Sequence, residues 1–250
     1  LQVGCARKAH QLLRSQHRSE QVFGILCLGY LRDATAKETF KRLIEEDRNT
    51  LFIFAAWALL RIDPAFAVAP VVAQLIQRQD LDMAQTSSLL KPFRHLINPE
   101  LSGALNQAPP DQIAWLLKLG YAMELQLDTP RLRPYLAPTQ PMDTVIGALR
   151  LLLSSDCLDS VRSLTNHPDW QVRTQVAITL GRIGEEQDLD LLLSLLMDPL
   201  WWVRYRAAQS LASWHFLERA LLNQMIAALP DRYAQEMAQQ IFTQHESHPW

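Results

Sequence analysis

His167-Pro168-Asp169-Trp170-Gln171-Val172-Arg173 is followed 31 residues later by Asp198-Pro199-Leu200-Trp201-Trp202-Val203-Arg204. The correspondence continues downstream, where Val172, Val176, Ala177, Leu180 and Ile183 answer to Val203, Ala207, Ala208, Leu211 and Trp214. Apolar residues at this spacing fall on one stripe of an α-helix. Gly181 and Ala212 also correspond, small residues that let neighbouring helices approach closely. Carried backward, the Leu180 position finds Leu149, Leu119, Leu90, Leu59 and Leu28, at steps of 31, 30, 29, 31 and 31. After two of these anchors the helix ends and an Asp follows, in Leu28-Gly29-Tyr30-Leu31-Arg32-Asp33 and Leu59-Leu60-Arg61-Ile62-Asp63. Between anchors the pattern predicts a second short helix, as in Ala36 to Glu46, Phe66 to Gln77 and Asp188 to Met197.

A unit of about 30 residues holding two short helices cannot bury both apolar faces alone and must stack on copies of itself. The period therefore predicts an all-α chain, a right-handed α-α superhelix of about eight antiparallel helix pairs forming a single solenoid over residues 1–250. Seven repeats carry an anchor, and the tail from Leu217 to Leu229 and from Tyr233 to Phe242 supplies a further pair to cap the end. The region near 92–141 is expected to be irregular. There Pro92 interrupts a helix, Pro109 and Pro110 open another, and Pro130, Pro134, Pro138 and Pro141 crowd one connection.

Composition agrees with helix. Leu and Ala dominate, glycine occurs only 8 times in 250 residues, and the 48% hydrophobic share is ample for a core. A net charge of -2 gives no general attraction to phosphate backbones or anionic membranes. Arg7, Lys8, Arg14 and Arg18 against Glu20 form a mild basic bias at the start, read as a solvated helix face. Cys5, Cys27 and Cys157 lack metal spacing and read as buried free thiols of a reducing compartment. The longest apolar run, Leu51 to Leu60, is too short to cross a bilayer.

The run from Asp169 to Gly184, a Val-Arg pair leading into Leu180-Gly181-Arg182-Ile183-Gly184, resembles the HEAT-like repeat of phycobilisome lyases. The resemblance implies a HEAT-type solenoid with a ladder of an inter-helix Asp and an Arg six residues on, matched here by Asp198 and Arg204. The preceding repeat has Arg173 but places His167 at the Asp position, with Asp169 as a nearby substitute. Trp201 to Gln209, with Leu229-Pro230-Asp231-Arg232-Tyr233-Ala234, is also similar to bacterial HEAT-repeat proteins that carry one N-terminal transmembrane helix. That similarity implies a cytoplasmic domain tethered to the inner membrane by a segment ahead of Leu1, the basic residues that follow lying on the cytoplasmic side.

Trp170, Trp201 and Trp202 fall at successive inter-helix turns, with Tyr205 one turn further on. They read either as packing between repeats or as a partner-binding ridge, since Trp, Tyr and Arg are the commonest interface anchors. Adjacent residues point about 100° apart on a helix, so one Trp is expected to pack and Trp202, aligned with polar Gln171, to stay exposed. Arg173 and Arg204 read as a structural ladder with Asp198, bonding turn carbonyls or that carboxylate, and Arg182 and Arg206 as solvated. His10 and His17 are too far apart to share a metal, and His245 and His248 lack further ligands. The acidic runs Glu45-Glu46-Asp47 and Glu185-Glu186 read as solvated.

No phosphate loop, nucleophile elbow or zinc-protease motif occurs in the sequence, and no cofactor is called for. The leading reading is a non-enzymatic scaffold or adaptor that holds a protein or peptide along a groove. Two alternatives stand beside it. One is a phycobilin-lyase-like activity, carried by the resemblance alone; the other is nucleic-acid binding, which the acidic balance and missing basic stripe make unexpected.

Overall fold

A computed structural model describes residues 2–46 and 51–247, so Leu1, Asp47 of the acidic run and His248 of the histidine pair lie outside the described residues. The helices are α1 (Gln2–Leu12), α2 (Arg18–Leu31), α3 (Lys37–Glu46), α4 (Leu51–Ile62), α5 (Pro64–Gln77), α6 (Met83–Leu90), α7 (Arg94–Leu105) and α8 (Pro110–Ala122). They continue as α9 (Thr129–Leu132), α10 (Met142–Leu151), α11 (Leu158–Ser163), α12 (Trp170–Ile183), α13 (Leu189–Leu196), α14 (Trp201–Ala212), α15 (Arg219–Ala227) and α16 (Arg232–Ser247). Among the described residues there is no strand. The chain divides into two compact units, Leu1–Gln126 and Leu127–Trp250.

In the first unit the even-numbered helices form one row, α2 on α4, α4 on α6 and α6 on α8, while α3, α5 and α7 form the other. In the second unit α10, α12, α14 and α16 repeat the even row. Every periodic leucine sits in an even helix and is fully buried: Leu28, Leu59, Leu90 and Leu119 in the first unit, Leu149, Leu180 and Leu211 in the second. Each such side chain contributes roughly 2 kcal/mol by leaving water, and the period repeats that contribution helix after helix.

Local chemistry sets where the helices start and stop. Asp63 caps α5 by accepting from the Phe66 N–H at 3.2 Å, and Pro64 occupies the first turn, so α5 begins two residues before the predicted Phe66. Asp82 caps α6 in the same way through Gln85 N–H at 2.7 Å. Prolines shape the irregular stretch. Pro92 lies in a 3-10 turn that joins α6 to α7, and Pro134 in another that follows the single turn of α9. The shortest first helix of any pair is thus the one preceding α10, where the prolines are densest.

Helices α12 and α14 approach closely at Gly181. A Cβ there would lie 2.3 Å from Ser210 Oγ and 2.5 Å from its Cβ. The Ser210 hydroxyl instead donates to the Ala177 carbonyl at 2.8 Å, tying one repeat to the previous one. Among the described residues no helix is long and apolar enough to cross a membrane. The cysteines are free but unequal, and only Cys157 is buried. Cys27 is half-buried and Cys5 exposed.

Candidate functional site

The turn before α14 is organised by charge. Arg173 on α12 reaches forward to Asp198, with Nε 2.6 Å from Oδ2 and a second guanidinium nitrogen 3.0 Å from Oδ1. Its remaining nitrogen donates back to the carbonyls of His167 (2.8 Å) and Pro168 (3.0 Å) in its own turn. Asp198 raises the Arg173 pKa further above its ordinary value and also accepts from the Leu200 N–H at 2.8 Å, which holds the start of α14. One repeat on, Arg204 donates to the Asp198 carbonyl and pairs with Asp231 at 3.3 Å.

This wiring differs from the sequence expectation in one respect. The Asp198 carboxylate belongs to Arg173 of the preceding turn, and Arg204 takes only the carbonyl of that residue. A guanidinium crossing between stacked turns meets the carboxylate of the next repeat, and Asp231 was not foreseen in that role. Asp169, the suggested substitute, lies 3.9 Å from the His167 ring and forms no ion pair with Arg173 among the described residues. Two arginines read as solvated are engaged. Arg182 donates to the carbonyls of Leu149, Arg150 and Leu152 at the end of α10, and Arg206 donates to Gln209 at 2.7 Å. Glu185, read as solvated, accepts from Arg162, whose guanidinium is held mainly by buried Asp188 at 2.6 Å.

Above this frame α14 turns Val203, Ala207, Ala208 and Leu211 inward. The opposite face carries Trp201 and Trp202, 52% and 53% exposed, so both indoles lie outside and neither packs between repeats. They stand on either side of the line opposite Val203, which is why consecutive residues share the outer face. Trp201 stacks on Tyr205, one turn on, at 5.0 Å and 11°, and Trp202 meets Trp201 edge-on at 4.7 Å. The Tyr205 hydroxyl accepts from Gln209 at 3.1 Å. Trp170 is exposed at the start of α12 and makes no ring contact with this trio among the described residues.

Beside Trp201 a cleft of about 390 Å³ is lined by Pro199, Arg204, Tyr233, Glu236 and Met237. Tyr233, exposed at the start of α16 with the Arg204 guanidinium 5.8 Å from its ring, extends the aromatic surface onto a second helix. The sequence reading did not single it out, although an acid again precedes an aromatic in Asp231-Arg232-Tyr233. A larger cleft of about 680 Å³ in the first unit holds Lys91 and Arg94, both of which pair with Glu124, at 2.5 and 3.4 Å. Among the described residues no three His, Cys, Asp or Glu side chains gather as a metal site.

Residues 143–212 match the family described as HEAT repeats. The matched stretch runs from α10 to the end of α14 and contains the Arg173–Asp198 rung with all three ring residues of the α14 face. No curated protein matches the chain.

Proposed function

We propose that the chain is a non-enzymatic protein-binding scaffold whose docking ridge is Trp201, Trp202 and Tyr205 on α14, with Trp170 on α12 and Tyr233 on α16 as flanking contacts. The observation that carries this reading is the pair of adjacent tryptophans, each half in water. Apolar ring area left in solvent forgoes about 25 cal/mol for every Å² that burial would cover, and covering it with a partner recovers that energy. The rings are held by one another and by the Tyr205–Gln209–Arg206 hydrogen bonds, so little side-chain freedom remains to be lost on docking. HEAT-repeat matching over 143–212 supports the same class, because stacked helix pairs present long surfaces for macromolecular partners.

The double substitution Trp202→Ala with Tyr205→Ala tests the ridge. Capture of a partner from native extract should fall by about thirtyfold, the effect of removing roughly 2 kcal/mol of interface energy, while the melting temperature stays within about 2 °C. Capture that survives the double substitution rejects this face as the site.

A further inference from the structure

The first unit carries a second exposed surface, on α2. Its residues Ile25 and Leu28 are fully buried where α2 packs on α1 and α4, yet Phe23 and Tyr30 on the opposite face are 60% and 67% exposed. Seven residues separate the two rings, which places them on one line about 10 Å apart along the helix axis. Half-buried Leu26 lies between.

Charge around this strip is one-sided. Arg14 and Arg18 stand at its N-terminal end and Arg32 and Arg61 at the other, and none of the four has a carboxylate partner among the described residues. The nearby acids are committed elsewhere, Asp33 to His10 and Thr35 and Asp63 to Lys37, and Glu20 is the single acid on α1 and α2. In a chain of net charge -2 this local excess stands out.

Arg61 is the most defined of the four. Its guanidinium lies 4.9 Å from the Tyr30 ring and 5.1 Å from the Trp57 ring, and the two rings meet edge-on at 5.0 Å. Its Nε is buried with no hydrogen-bond partner among the described residues. Two rings therefore hold a cation that no acid among the described residues answers. The terminal fork of a guanidinium so held matches a carboxylate in bidentate geometry.

We propose that the outer face of α2 docks an acidic amphipathic helix of a partner protein, its apolar ridge lying along Phe23, Leu26 and Tyr30 and one Glu or Asp seated on Arg61. A helix suits the strip because anchors two turns apart on one line meet the i and i+7 positions of a second helix. A discrete carboxylate suits Arg61 better than a lipid headgroup, since membrane-surface cations are usually mobile side chains and this one is clamped. The proposal is independent of the α14 ridge.

The test uses the full chain and a labelled synthetic peptide of about 18 residues, long enough for five helical turns, with Leu on one face and Glu on both flanks. Its twin carries Lys for every Glu, and phosphatidylserine vesicles form the third arm. Fluorescence anisotropy should show binding of the acidic peptide alone, weakened several-fold when salt rises from about 0.05 to about 0.5 M. Affinity should fall about tenfold in Arg61→Gln and again in Phe23→Ser, and stay unchanged in the Trp202→Ala, Tyr205→Ala variant. Phe23 is exposed, so Phe23→Ser keeps the fold and reads the site even if Arg61→Gln loosens its two rings. Binding of neither peptide, equal binding of both, indifference to Phe23→Ser, or binding to vesicles alone would each overturn the proposal.

Discussion

At the scale of the residue, Asp198 ties together Arg173, Leu200 and Arg204. Its carboxylate takes two bonds from Arg173 and one from the Leu200 N–H, and its carbonyl takes Arg204. The Arg173–Asp198 pair is largely out of water, so removing one partner leaves the other a buried, unanswered charge. Asp198→Ala should therefore cost about 3 kcal/mol or more, measured by urea unfolding, whereas a cost under about 1 kcal/mol would mean the pair behaves as an exposed one. The sequence grouped Arg173, Asp198 and Arg204 in one ladder and left their wiring open, because a 31-residue offset gives alignment and not reach. The two tryptophans show the same limit. Helical geometry set them about 100° apart, but which of them faced water depended on where Val203 pointed.

At the scale of the element, the even helices were legible because a fully buried leucine recurs at the anchor position of every even helix from α2 to α14. The stretch between α8 and α10 was not, because proline withdraws N–H donors and fixes φ without indicating which short turns result. The Gly181–Ser210 contact is a further case where the alignment of small residues anticipated a close approach whose tightness only the packing of α12 on α14 defines. Gly181→Ala introduces a methyl group where the nearest atoms belong to a side chain tied to the Ala177 carbonyl. Overpacking of this kind costs about 2 kcal/mol, offset slightly by the better helix propensity of Ala. The expected outcome is a lowered melting temperature, partly restored by combining Gly181→Ala with Ser210→Gly; a stabilised single variant would show that α12 and α14 separate at no cost.

At the scale of the whole molecule, paired carboxylates make the stability of the first unit depend on pH. In the first unit Thr35, with His10 assisting, holds the Asp33 carboxyl below its ordinary pKa, Lys37 does so for Asp63, Arg78 for Asp80 and Lys91 for Glu124. A carboxylate with a depressed folded-state pKa contributes stability above its unfolded value and loses it as pH falls through the folded one. Acidification below about pH 4 should then weaken amide protection around these carboxylates, as followed by hydrogen exchange. Protection at Asp33, Asp63 and their partners that is unchanged down to about pH 3 would refute that dependence. The turn preceding α14 has a different consequence. It brings a carboxylate to the arginine behind it and a carbonyl to the arginine ahead. An insertion or deletion inside that turn would therefore part both guanidiniums from their acceptors in one stroke.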